Sequence, residues 1–179
     1  MKKINKIILI SFIVVILDQV SKIIIRCSLD INQGIRVIGN FFKIMRLENS
    51  GAAWSMLNGK WVFLVIISIL FLVFIFRCII KDNRNTKLNV ISYSFLIGGI
   101  FGNVIDRIIY HEVTDFLSFK IFNYSFPVFN VADSFIVIGM FLFIVDMFLE
   151  GKEEGPMSEE YKKIREGKNG KDRSTRRKH

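Results

Sequence analysis

Two carboxylates, Asp115 in Val113-Thr114-Asp115-Phe116 and Asp133 in Phe129-Asn130-Val131-Ala132-Asp133-Ser134, stand 18 residues apart. Both are flanked by bulky apolar residues. Acids held in such a setting are costly, and a membrane chain that keeps them usually uses them. Two carboxylates within about 3–5 Å of each other cannot easily both ionise, so they share one proton. One can then act as general base on a water while the other donates to a substrate carbonyl. That is the chemistry of peptide hydrolysis without a covalent intermediate. Asn130, three residues before Asp133, is placed to cap a helix. Asp133 then lies in the first helical turn, where the dipole favours its ionised form and leaves the proton to Asp115. Pro127 suits the helix entry.

Other chemistries have less support. His111 is the only histidine besides the C-terminal residue, so the sequence offers no histidine-rich metal site. No serine stands in a GxSxG elbow. Ser134 has no evident base. Cys27 and Cys78 have neither metal-ligand nor CxxC spacing, and the topology below puts them on opposite sides of the membrane.

The elements that must hold the two aspartates follow from hydropathy. The chain has 179 residues, 51% of them hydrophobic, with 18 Phe, which excludes an ordinary soluble domain. A span needs about 20 apolar residues, and four candidates meet that: about 4–25, 61–80, 88–110 and 128–149. Backbone groups in lipid must be satisfied internally, so all four are expected to be helices. The net charge of +9 is not a nucleic-acid signature, because ten of the 25 Lys and Arg lie in the last 30 residues beside seven acids. Lys2, Lys3 and Lys6, then Arg77, Lys81, Arg84 and Lys87, then the basic tail alternate with the spans. Both termini are therefore expected in the cytoplasm. The N-terminal run leads into Asp18, Lys22 and Arg26 without a small-x-small cleavage site, so it reads as a retained anchor.

Between spans one and two, residues 34–39 and 41–47 alternate polar and apolar and read as short strands. The stretch Glu48 to Leu57 mixes small residues with Trp54, Met56 and Leu57 and suggests an amphipathic helix in the interface. Residues 116–126 can add another strand or two. The domain reading is a four-span unit over 1–150 and a polar, charged tail over 151–179.

Inside the spans, Asp18 and Lys22 share a helix face. Either they form an interfacial ion pair with Lys22 snorkelling, or they support an active site from behind. Gly98, Gly99 and Gly102 include a small-xxx-small step that lets another helix approach closely. Asn103 and Arg107 share a face, and a buried Arg107 calls for a carboxylate among Asp106, Asp115 and Asp133.

Five motifs together resemble the bacterial lipoprotein signal peptidase, or signal peptidase II, family. They are Asp18-Gln19-Val20-Ser21-Lys22, Asn49-Ser50-Gly51-Ala52-Ala53-Trp54-Ser55, Gly98-Gly99-Ile100-Phe101-Gly102-Asn103-Val104-Ile105-Asp106-Arg107, Val113-Thr114-Asp115-Phe116 and Phe126 to Ser134, in order over about residues 5–150. The resemblance implies an aspartic endopeptidase of the bacterial plasma membrane, active at the outer face. A monomer with no cofactor and no nucleic-acid partner is expected, and the resemblance adds cleavage of prolipoproteins before a diacylglyceryl-modified cysteine. It implies Asp115 and Asp133 as the dyad. It further implies Asn49, Gly51, Asn103, Arg107, Asn130 and Ala132 as site-lining or supporting residues, and Asp18 and Lys22 as stabilising ones. An outer β-cradle with an interfacial helix, contact with membrane lipid, and inhibition by globomycin-type peptides are also implied. Trp54 and Ser55 depart from the Phe and Gly of many members, which bears on the substrate groove.

Two rival readings use the same residues differently. In a small transporter or proton relay, intramembrane Asp and Arg carry ions, but such proteins show repeats or broken helices near the midplane, and this sequence shows neither. An assembly factor binding helices through its glycine face leaves both aspartates unexplained.

Overall fold

The structure is a computed structural model that describes residues 2–52, 56–82, 85–122 and 124–153. Four helices long and apolar enough to cross a membrane are present. They are α1 (Lys3–Ser28), α2 (Trp61–Lys81), α3 (Lys87–Tyr110) and α4 (Val131–Glu153), with strands β1 (Gly34–Ile38), β2 (Phe42–Asn49), β3 (Val113–Ile121) and β4 (Tyr124–Ser125) between them. The chain forms two compact units, Met1–Phe143 and Ile144–His179. The first carries everything that follows. In the second, the described residues are the end of α4.

The helix at the centre is α3. Its best window is the least apolar of the four, with a mean hydropathy of 1.6, yet 72% of that window is buried, against 17–28% for the others. The two facts have one cause. A helix surrounded by protein can carry Asn89, Ser92, Ser94, Asn103 and Asp106, all buried, whereas helices facing lipid must present Ile8, Phe12, Leu70, Phe74 and Phe141, all exposed. The apolar core joins Ile7 of α1 and Leu72, Ile75 and Ile79 of α2 to Val90, Leu96, Ile97 and Ile100 of α3.

Glycines set how closely α3 is approached. A Cβ on Gly98 would lie 2.6 Å from the Val14 Cβ of α1, and one on Gly99 would lie 2.5 Å from the Ala132 carbonyl oxygen of α4. Gly102 serves both neighbours, since its Cβ would meet Asp18 Oδ2 at 2.5 Å and the Ala132 Cβ at 3.2 Å. The small-residue face thus packs two helices.

The strands form one antiparallel sheet in the order β1-β2-β3-β4. Its register pairs Leu47 with Asp115 and Asn49 with Val113. The expected strands at 34–39 and 41–47 are present with small boundary shifts. The third begins earlier than expected, at Val113, so Asp115 lies within a strand. The fourth helix begins later, at Val131, because the chain just before it is drawn into the sheet. Phe129 accepts from Phe116 N and Leu117 N at 3.0 and 2.8 Å and donates to Leu117 O at 3.1 Å. The expected interfacial helix over 48–57 is not present in its described parts, where Glu48 and Asn49 end β2 and residues 56–59 form a turn. Residues 53–55, including Trp54 and Ser55, lie outside the described residues, as does the tail from 154.

Candidate active site

Strand periodicity puts successive β3 side chains on opposite faces. Val113 and Asp115 line a cavity of about 620 Å³ together with Asn49, Asn103, Arg107 and Asp133. The rest of its wall is largely apolar, from Phe126 to Phe129 and from Ile136 to Ile138. Thr114 turns the other way, into a buried cluster of charges.

Each oxygen of both aspartates accepts a hydrogen bond. Asp115 Oδ1 accepts from Asn130 Nδ2 at 2.7 Å and Oδ2 from Asn49 Nδ2 at 2.9 Å. Asp133 Oδ1 accepts from Asn103 Nδ2 at 2.7 Å and Oδ2 from the Asn130 backbone N–H at 3.2 Å. In return Asp133 N donates to Asn130 Oδ1 at 2.9 Å. This is a reciprocal cap at the start of α4, with Asp in the place more often held by Glu or Gln. The expected cap is therefore present and does more than end a helix.

Three asparagines hold the carboxylates, and an obligate donor orients each amide. Gly51 N donates to Asn49 Oδ1 at 3.0 Å, which leaves Asn49 Nδ2 for Asp115. Asp133 N fixes Asn130 in the same way. Lys22 Nζ donates to Asn103 Oδ1 at 3.0 Å, which turns Asn103 Nδ2 toward Asp133. Asn130 Nδ2 also reaches Asn103 Oδ1 at 3.1 Å, so a single polar network joins the two carboxylates.

The Asp115 carboxyl is pushed up to about 7. Burial is the largest cause, and the charge of Asp133 adds to it; the donors Asn49 and Asn130 and the charge of Lys22 pull the other way.

Lys22 does not snorkel. It is fully buried and contacts Asp18 Oδ2 at 2.8 Å and Asp106 Oδ2 at 3.1 Å. Asp18 in turn accepts from the Ala132 backbone N–H at 2.8 Å, which ties α1 to the N-terminus of α4. The ion pair thus stands behind the site. Arg107 makes no direct ion pair among the described residues, although the charges of Asp133, Asp115 and Asp106, its three expected partners, all act on it. Among the described residues its hydrogen bonds go to backbone, to Gly51 O at 3.2 Å and Asn103 O at 3.5 Å. Asp106 projects away from the cavity, and its second cation is Arg26 at 3.1 Å.

Arg26 and Gln19 were not singled out in the sequence. Arg26 Nε donates to Thr114 Oγ1 at 2.7 Å, and its guanidinium lies 3.9 Å over the Tyr110 ring. Thr114 Oγ1 donates to Glu48 Oε2 at 2.8 Å. Gln19 Nε2 spans Asp18, Gly102 O and Asp106 at 3.0–3.2 Å. The available signal was position, since Arg26 lies one helical turn beyond Lys22 and on the same face. Arg26→Met, which leaves the fully buried Asp106 with Lys22 as its cation and removes one charged contact, is expected to destabilise the protein by about 1–3 kcal/mol. Thermal unfolding in detergent checks this, and an unchanged midpoint would contradict it.

Four helices apolar enough to cross a membrane, with two hydrogen-bonded carboxylates on a mostly apolar cavity, are an arrangement that a membrane protease of the aspartic type would require. The model of the Signal peptidase (SPase) II family matches residues 10–149. The chain is 44% identical over 138 residues to the lipoprotein signal peptidases of Staphylococcus aureus strains JH9 and Newman, covering 77% of this chain and 85% of each relative. Its fold is similar to a bacterial membrane enzyme solved by the in meso method at 2.3 Å, with a TM-score of 0.78 and 39% identity over 86% of this chain and 93% of that one. A second such structure, at 1.9 Å, gives 0.73 and 42% over 80% and 93%. The chain belongs to the signal peptidase II family: it is an aspartic protease that removes signal peptides from prolipoproteins.

Proposed function

We propose that Asp115 and Asp133 are the catalytic dyad, and that cleavage falls just before the diacylglyceryl-modified cysteine of the substrate. The observation that carries the reading is the joint placement of both carboxylates on one cavity, every oxygen held by a donor. Charge balance agrees with it. Behind the site, Lys22 and Arg26 face Asp18 and Asp106, two cations against two anions. Among the described residues that line the cavity, Arg107 is the one cation facing Asp115 and Asp133, so a low-dielectric site is neutral when the dyad holds one proton.

In the reaction, ionised Asp133 takes a proton from water as the water oxygen bonds to the scissile carbonyl carbon. Protonated Asp115 gives its proton to the carbonyl oxygen, forming a gem-diol. Asp133 then passes its proton to the leaving nitrogen as the C–N bond breaks. Asp115 recovers a proton from the gem-diol, which restores the starting state. Apolar cavity walls suit acyl chains arriving from the bilayer. Asn49, Gly51, Asn103, Arg107, Asn130 and Ala132 line or support the site.

The wider reading is a monomer in the bacterial plasma membrane. Its site lies at the outer face, both termini are cytoplasmic, and globomycin-type peptides are inhibitors. Residues 1–150 form the catalytic domain and 151–179 a basic tail. A cleavage assay with purified protein tests it: the lipidated precursor is expected to be cut and the unlipidated one left. Equal rates on both would overturn the substrate assignment. A topology reporter at residue 160 is expected to give a cytoplasmic signal.

The pH dependence follows from Asp115. The reactive form needs its proton, and its carboxyl stands at about 7. Activity is therefore present below that value and falls as pH rises through it, approaching about tenfold per unit. Initial rates from pH 5 to 9 check this. A flat profile to pH 9 would remove Asp115 as the acid.

A further inference from the structure

We propose that Lys22 is a positioning residue for the catalytic dyad, acting through the side-chain amide of Asn103. This rests on the dyad reading above and gives Lys22 a role beyond stabilising the bundle.

Asn103 touches Asp133 through Nδ2 at 2.7 Å. An asparagine side chain can present either its oxygen or its nitrogen, and only the nitrogen suits a carboxylate. Two donors meet that oxygen, Asn130 Nδ2 at 3.1 Å and the Lys22 ammonium, and only Lys22 is charged and unable to accept. At 3.0 Å from Asn103 Oδ1 it holds the oxygen away from Asp133 and the nitrogen toward it. The contact is also charge-assisted, which polarises the amide and strengthens its donation to Asp133.

Lys22 is held in turn. Asp18 on its own helix and Asp106 on α3 fix its ammonium at 2.8 and 3.1 Å, and Arg26 shares Asp106. It has no exposed surface. Burying a lysine for packing alone would need one carboxylate; this one has two and spends a further donor on the amide that faces the dyad. Lys22 reaches Asp115 by charge alone, and its field works against the burial and the Asp133 charge that raise that carboxyl. Among the described residues, the other charged group facing the pair is Arg107 on α3, and the other polar groups are Asn49 on β2, Asn130 before α4 and Ser134 on α4.

Three variants separate positioning from stability. Asp18→Asn/Lys22→Met removes the ion pair with no net change of charge. In folded protein, its kcat is expected to fall about tenfold or more, less than the loss of a dyad carboxylate would cause. KM is expected to stay within about threefold. The basic limb of the pH profile is expected to move to higher pH, because the charge that opposed the rise of Asp115 is gone. Asp18→Asn/Lys22→Gln restores a donor without the charge, so kcat is expected to recover while the limb stays displaced. Asp18→Asn alone keeps Lys22 and is expected to lose thermal stability with the limb unmoved.

A double variant with a lower melting temperature but wild-type kcat and pH profile would overturn the proposal. So would failure of both double variants to fold, which is the outcome of a purely structural lysine. Failure of the dyad reading itself is recognised separately, by activity remaining in Asp115→Asn or Asp133→Asn.

Discussion

Asp133→Asn and Asp115→Asn are each expected to lower kcat by about a thousandfold or more, with the fold retained. Each removes a group that must gain and lose a proton in both halves of the reaction, and a positioned acid or base contributes about 10²–10⁴-fold. For Asp115 the change removes a charge that burial already disfavours, and for Asp133 the exchange is local. Asp133 Oδ1 and Oδ2 both accept hydrogen bonds, so the new amide turns an N–H₂ toward one donor. The local cost is about 1–3 kcal/mol. Circular dichroism and gel filtration in detergent report the fold, and cleavage of a lipidated prolipoprotein reports turnover. A variant within tenfold of wild type would show that its aspartate is not one of the pair.

Gly99→Ala is expected to lower both stability and turnover although residue 99 does not line the cavity. The added Cβ would stand 2.5 Å from Ala132 O, 2.7 Å from Ile136 Cγ1 and 3.2 Å from Ile136 N. A rotamer change can move Ile136 Cγ1, but the Ala132 oxygen and the Ile136 nitrogen are backbone, so α4 itself must shift. Overpacking of this kind costs about 1–3 kcal/mol. The shift also reaches Asp133, the residue after Ala132, and a displacement of about 1 Å can cost about a hundredfold in rate. The check is a melting temperature together with kcat on the same sample. Wild-type values for both would show that α4 has room the geometry denies it.

Much of this was legible in the sequence because the membrane imposes strong rules. Residues 61–80 read as a span without ambiguity, since an apolar run of that length has few other uses, and α2 occupies Trp61–Lys81. Asn130 was readable as a cap because the spacing to Asp133 is local. The helix α4 starts three residues later than hydropathy places it, as Val128 and Phe129 are apolar enough to continue a span. What removes them from the helix is the pairing of Phe129 with Leu117, a contact made 12 residues away. Arg107 misled for a related reason. Its need for a partner was sound, but helix geometry sends Asp106 to the opposite side, toward Lys22 and Arg26, so the direct contact is the backbone of Gly51 while Asp133 and Asp115 act by charge alone.

By itself the sequence determined the class of protein, the four spans, the two carboxylates and the residue types around them. Those follow from hydropathy, from the cost of an acid among apolar neighbours, and from local spacing along a helix. Tertiary structure alone decided who holds whom. That Lys22 orients Asn103, that Asp18 grips the first turn of α4 and that Asn130 joins both aspartates are contacts across 15 to 114 positions of sequence. No periodicity encodes them. They arise because Gly98, Gly99 and Gly102 let α1 and α4 close on α3, and because β3 carries Asp115 to the same depth as the start of α4.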